Sequence, residues 1–163
     1  GKTSLSWYLT LFLKNVYDIN KLAIKSFSIG FDEKRQSHII DINALGDYVL
    51  KNFPSNSILV GHLSHLLGVA KKIIVLRTHP KELEKRLRKK GWSERKIREN
   101  LEAEAMSIIT YEALEFTNKV FEVDTTNKHP REVFYIILEI IYKEPRNHLA
   151  PRYDWSEAIL EWF

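Results

Sequence analysis

Three groups of residues in this sequence have types and spacings that could do chemistry. The first is Gly1-Lys2-Thr3-Ser4, which stands directly before Leu5, Tyr8, Leu9, Phe12, Leu13 and Val16, an apolar pattern at helical spacing. A glycine lets backbone N–H groups approach phosphate oxygens, and a lysine reaches the outer phosphates. A hydroxyl can hold magnesium, and a helix N-terminus adds partial positive charge. A phosphate-binding loop G-x-x-x-x-G-K-T ends in this way, so its strand and opening glycines are expected upstream of Gly1. The tripeptide occurs by chance in many chains; its place before a helix gives it weight.

The second group is a run of cations. Between Lys81 and Arg98 nine Lys or Arg stand against three Asp or Glu, so nine minus three gives +6 in a chain that totals +4. Such a segment suits a polyphosphate that must be gripped and released. A solvated basic face or an RNA-binding patch would look the same. The third group is scattered over predicted strand ends: His62 and His65, Arg77 and Thr125. Two histidines three apart can begin a zinc site, but no third ligand lies nearby; the alternative is a loop histidine beside an active site.

These groups need elements to position them. Ile58-Leu59-Val60 reads as a buried strand running into Gly61-His62-Leu63-Ser64-His65. Ile73 to Leu76 reads as another, ending on Arg77-Thr78, and Pro80 can start a helix with Leu83 and Leu87 inward. Gly91 can stop that helix. Ser93 can cap a second, long helix with Ile97, Leu101, Ala105 and Ile108 in one stripe. Asn20 to Gln36 reads as mixed and loop-like, and Ile39-Ile40-Asp41 steps into a helix carrying Leu45, Tyr48 and Val49.

Val120 to Val123 is a last strand leading into Asp124-Thr125-Thr126, and Pro130 starts a helix with Val133, Phe134, Ile137, Ile140 and Ile141 inward. Pro145 and Pro151 bracket a tail in which Asp154-x-x-Glu157 has capping-box form and introduces Trp155, Ile159, Trp162 and Phe163. That aromatic helix is expected to dock on its own domain. Strands alternating with helices predict an α/β chain with a parallel sheet covered on both faces and ligands at the carboxyl ends of the strands.

At 163 residues, with 44% apolar and 28% charged residues, the composition is that of a globular domain. No run approaches the ~20 apolar residues of a membrane span, so no membrane partner is expected. The absence of cysteine excludes disulfides, thiolate metal sites and thiol catalysis, and fits a cytoplasmic location.

Larger blocks carry a resemblance: GKTS at 1–4, GFDEKR at 30–35 followed by IID at 39–41, GHLSHLL at 61–67, VLRT at 75–78 and KKGWSERKIRENLEAE at 89–104. With these the chain resembles the adenylate kinase isoenzyme six family of eukaryotes and its archaeal adenylate kinase-like counterparts. The resemblance covers residues 1–143 and leaves 144–163 as a helical tail. It implies a three-layer P-loop NTPase fold with a short monophosphate-binding region at about 20–41 and a short lid at about 90–100. It implies a kinase that uses ATP and Mg²⁺ to phosphorylate AMP or another nucleoside monophosphate, with an accompanying ATPase activity. A role in small ribosomal subunit maturation is also implied, through a platform ribosomal protein and the 3′ end of pre-rRNA.

By position, Gly1, Lys2, Thr3, Ser4 and Lys90 match ATP-phosphate contacts, Asp32 and Arg35 fall in the monophosphate-binding region, and His62 matches the histidine of a modified Walker B motif. Lys2, His62, Arg77, Arg95 and Arg98 are the expected catalytic residues, and Thr3 the expected magnesium ligand. One departure stands out: the family has an acid two residues before that histidine, where this sequence has Val60. Valine cannot hold magnesium or its waters. A catalytically weak, nucleotide-dependent assembly factor binding ribosomal protein and rRNA is therefore the competing expectation.

Overall fold

The structure, a computed structural model, describes residues 2–160, excluding the side chains of residues 2–4 and 159–160. The chain divides into two compact units, Lys2–Lys71 and Lys72–Phe163.

In the first unit, α1 (Lys2–Phe12) buries Leu5 and Leu9, four residues apart and so on one face. Strand β1 (Val16–Asp18) runs parallel to β4 (Ile58–Val60), with Val16 opposite Ile58 and Asp18 opposite Val60. Asp18 ends β1 and starts α2 (Ile19–Ser26), its Oδ1 accepting the N–H groups of Asn20 and Lys21. Asp41 caps α3 (Ile42–Asn52) in the same way, through Ala44 N–H at 3.0 Å. Ile19, Ala23, Leu45, Val49 and Leu67 form the core, with Leu22, Phe27, Ile40 and Leu59 packed against it. A Cβ at Gly46 would stand 2.9 Å from the Leu67 carbonyl, so glycine is what lets the turn Ser64–Leu67 lie on α3.

The stretch Asn20–Gln36, expected to be loop-like, is mostly ordered secondary structure. It contains most of α2 and then β2 (Ser28–Asp32), which pairs antiparallel with β3 (Ser37–Ile40). Both strands are exposed along most of their length, so no buried face imposes the period of two that marks a strand in sequence.

In the second unit, β5 (Ile73–Arg77) and β6 (Val120–Asp124) are parallel, in register from Ile73↔Val120 to Arg77↔Asp124. Two helices follow β5: α4 (Pro80–Lys89), with Pro80 in its first turn, and α5 (Glu94–Ala105), capped by the Ser93 hydroxyl. They form an arm with its own small core of Leu87, Ile97 and Leu101, against which Leu83 and Trp92 pack. Gly91 turns between them at φ +72, a left-handed conformation costly for other residues.

The long helix expected through Ile108 breaks at Ser107, which adopts φ +55, and α6 (Ile108–Leu114) starts afresh. The break puts Thr110 within hydrogen-bond reach of buried Glu122, while Ile108 becomes 39% exposed. After β6, α7 (Pro130–Lys143) opens with a capping box formed by His129 and Glu132. The tail from Glu144 packs within this unit: Leu149 bridges to Phe121 and Ala150 N–H donates to Val120 O at 2.9 Å. The short α8 (Glu157–Leu160) follows; Trp162 and Phe163 lie outside the described residues. Among the described residues the parallel strands thus occur as two pairs, one per unit. Among the described residues no helix is long and apolar enough to cross a membrane.

Candidate functional site

At the carboxyl ends of β1 and β4 the first unit gathers Asp18, Val60, His62 and Asn20. Asn20 Oδ1 accepts the His62 N–H at 3.2 Å, and a Cβ on Gly61 would meet that same oxygen at 2.8 Å. A side chain at position 61 would have to displace the Asn20 amide that holds the loop after β4 to the start of α2. His62 is exposed, whereas His65 is buried with 7% exposure, so the two rings stand in different surroundings. Among the described residues no group of three or more His, Cys, Asp or Glu is placed to hold a metal.

Val60 brings no oxygen to this edge, but its register partner Asp18 does. Oδ1 of Asp18 serves the α2 cap, and the second carboxylate oxygen has no part in it. A hard, oxygen-seeking cation at this edge would find a side-chain carboxylate in Asp18 and none at Val60. Lys2, Thr3 and Ser4 fall in the first turn of α1, where backbone N–H groups and the helix dipole favour anions. Their side chains, and Gly1 altogether, lie outside the described residues.

Asp32 and Arg35 are brought together in the turn of the hairpin. Asp32 Oδ1 accepts the Arg35 N–H at 3.0 Å, and Gln36 closes the turn with φ +49 and a bond from its amide to Glu33 O at 2.7 Å. Asp32 therefore shapes the turn, and the Arg35 side chain is exposed. On the adjoining strands Phe31 meets His38 edge to face at 5.3 Å, and Ser28 Oγ lies 3.0 Å from His38 Nδ1.

In the second unit the cationic arm carries Lys90 at the end of α4 and Arg95 and Arg98 on α5, all exposed. Each arginine has an acid one turn on: Arg95 Nε lies 3.4 Å from Glu99 and Arg98 Nε 3.0 Å from Glu102. Lys96 Nζ sits 4.6 Å from the Trp92 ring centroid. Glu84, Arg88, Glu94, Ile97, Arg98 and Leu101 line an open cleft on the arm.

Arg77 does not join these cations. Its side chain turns into the interior with 1% of the residue exposed, where Nε donates to Glu104 Oε1 at 2.7 Å, Nη1 to Glu122 and Nη2 to Glu104 O at 2.8 Å. Nη1 also reaches Tyr153 O at 3.3 Å. Where the sequence led to the expectation of a cation facing a transferring phosphoryl group, the Arg77 N–H groups in this structure are bonded to two acids and two carbonyls in a closed interior. Burial works against its charge, but the bonds and proximity of Glu104 and Glu122 outweigh it and raise its pKa. Burial likewise works against the Glu104 charge and pushes its carboxyl above its usual range, against the pull of Arg77 and of the Thr78 N–H.

The polar groups that end β5 and β6 interlock. Thr78 Oγ1 lies 2.8 Å from Thr125 Oγ1, Thr126 Oγ1 accepts the His79 N–H at 2.8 Å, and Arg86 Nη2 donates to Thr125 O at 3.2 Å. Sequence reasoning reached Thr125 and placed Trp155 in a docking tail, but missed Asp18, Glu104 and Glu122. Two signals were present: an aspartate directly before a helical apolar pattern, and an acid inside the apolar run Val120-Phe121-Glu122-Val123.

Parallel strand pairs with polar carboxyl ends, each pair joined through helices, define an α/β protein. The family model described as "AAA domain" matches residues 1–107. A protein named "Putative adenylate kinase" from Thermococcus onnurineus (strain NA1) is 39% identical over 160 residues, spanning 96% of this chain and 86% of its own. Proteins with the same name from Pyrococcus furiosus and Methanothermobacter thermautotrophicus are 47% and 40% identical, over 75% and 86% of this chain and 67% and 83% of theirs. The chain belongs to this archaeal adenylate kinase-like family of P-loop proteins.

Proposed function

We propose that the chain is a nucleoside monophosphate kinase that moves the γ-phosphoryl group of ATP onto a phosphate oxygen of a monophosphate, AMP first among them, leaving two nucleoside diphosphates. The observation that carries this reading is the two-helix arm, strongly basic and turned at Gly91, in a chain whose relatives bear an adenylate kinase name. Phosphoryl transfer needs positioning and charge neutralisation more than covalent chemistry.

Gly1 to Ser4 and Lys90 would hold the ATP phosphates, with Lys2 on the outer ones. Arg95 and Arg98 would exchange their Glu99 and Glu102 partners for phosphate oxygens, and Arg35 beside Asp32 would hold the monophosphate. His62, tied through its N–H to Asn20, would orient the reacting edge. Thr3 and Asp18 would hold magnesium, which supplies charge neutralisation when bound. Closing the arm excludes water, and imperfect exclusion gives ATP hydrolysis. Purified protein should form ADP from ATP and AMP in a magnesium-dependent reaction; no ADP above the rate of ATP hydrolysis refutes the proposal.

Val60 favours a second reading, a slow nucleotide-dependent factor that binds small-subunit ribosomal protein and pre-rRNA through its basic arm. Salt-sensitive RNA binding without AMP-dependent ADP formation would select it.

A further inference from the structure

The arm has two roots, and both meet the tail. At the start of α4, His79 caps the helix with its ring, Nδ1 accepting the Lys81 N–H at 3.3 Å, while its own N–H is held by Thr126. In the last turn of α5, Glu104 is held by Arg77 Nε and by Thr78 N–H at 3.2 Å. Arg77 therefore stands between the roots, fixed by the buried acids.

The tail is pinned to the same cluster. Glu122 Oε2 accepts the N–H groups of Arg152 at 2.5 Å and Tyr153 at 3.2 Å, and Tyr153 O accepts from Arg77 Nη1 and from Ser107 Oγ at 3.3 Å. Two residues on, the Trp155 indole stacks on Tyr153 (5.5 Å, 24°), covers the Arg77 guanidinium at 4.9 Å and meets the His79 ring edge-on at 5.6 Å. α8, which follows, lies against α5.

We propose that Trp155 is a positioning residue for the α4–α5 arm, a wedge from the tail seated on the arm's hinge that holds His79 against the fixed Arg77 and so sets how readily the arm swings. Swinging about the roots must move His79 relative to Arg77, and the indole touches both. The consequence for nucleotide capture rests on the kinase reading; the mechanical claim does not.

Hydrogen exchange measured by mass spectrometry on the full chain tests it. Trp155→Ala should speed exchange of residues 80–105 about three- to tenfold and leave α7 (130–143) unchanged. Trp155→Leu, which keeps part of the apolar volume without an aromatic face, should show the same arm-confined rise, and Trp155→Phe, which restores an aromatic face, should return exchange to the wild-type rate. Unchanged arm exchange, or an equal rise in α7 that would mark general loosening, overturns the proposal, as does failure of Phe to restore. ATP added to the wild type separates the two readings: if ATP leaves arm exchange untouched while the Trp155 effect stands, the kinase reading fails and the hinge wedge survives.

Discussion

Arg77, the last residue of β5, donates its Nε–H to Glu104 in the last turn of α5 at 2.7 Å, and its other face binds Glu122 on β6. One cation thus ties a strand, its neighbour and the far root of the basic arm at a point closed to solvent. Breaking a buried pair by removing one partner leaves the other charge unpaired, which is more costly than the pair is worth.

Arg77→Leu should therefore lower stability by about 3–5 kcal/mol, read from urea unfolding. An arginine that served only bound phosphate would leave the unfolding midpoint within about 0.5 kcal/mol of wild type. The same experiment thus separates the structural role from the catalytic one expected from sequence.

Lys2→Ala should leave circular dichroism and the melting temperature unchanged and reduce ADP formation by roughly a hundredfold or more, the scale of losing one charge-stabilising donor. Undiminished turnover would remove Lys2 from the site.

Asp18→Asn should weaken the magnesium dependence of ATP binding, measured by calorimetry with and without Mg²⁺, because Asp18 is the carboxylate in register with Val60. Val60→Glu should raise magnesium-dependent turnover. If both variants behave as wild type, the carboxyl edge of β1 and β4 holds no metal.

Glu144 lies 2.9 Å from both Lys72 and Lys119, whose hydrogen bonds hold its carboxyl down from 4.5 to about 2. A lowered folded-state value means the unfolded chain binds the proton more readily, so the contribution is complete above pH 4.5 and fades as pH falls towards about 2. The melting temperature of wild type should exceed that of Glu144→Gln at pH 6, and the gap should close by pH 2, with added salt narrowing it throughout. A gap independent of pH would show that the two lysines contribute nothing through charge.

Gly91→Ala should destabilise by roughly 1–2 kcal/mol, since φ +72 is strained for alanine while no atom stands within 4 Å of the added methyl. Gly91→Asn should lose less. Thermal melts of the two variants check the order, and equal losses would point to a cause other than backbone strain.

The sequence by itself determined the elements whose cause is local. Asp41 and Ser93 as caps, Pro80 and Pro130 at helix starts, Gly91 between the arm helices and the apolar runs of β4, β5 and β6 are all written in neighbouring residues, and so is the charge of the arm. The family blocks were legible for the same reason. Tertiary structure alone decided the rest. Hairpin β2–β3 escaped because neither strand has a buried face to impose alternation, and the break at Ser107 because the stripe through Ile97, Leu101 and Ala105 continues past it in sequence. Arg77 reads as a free cation at a strand end until residues 27 and 45 positions away, Glu104 and Glu122, close on it. A side chain's role as ligand contact or internal counter-ion depends on which distant charges share its low-dielectric surroundings, and only the folded chain brings those charges together.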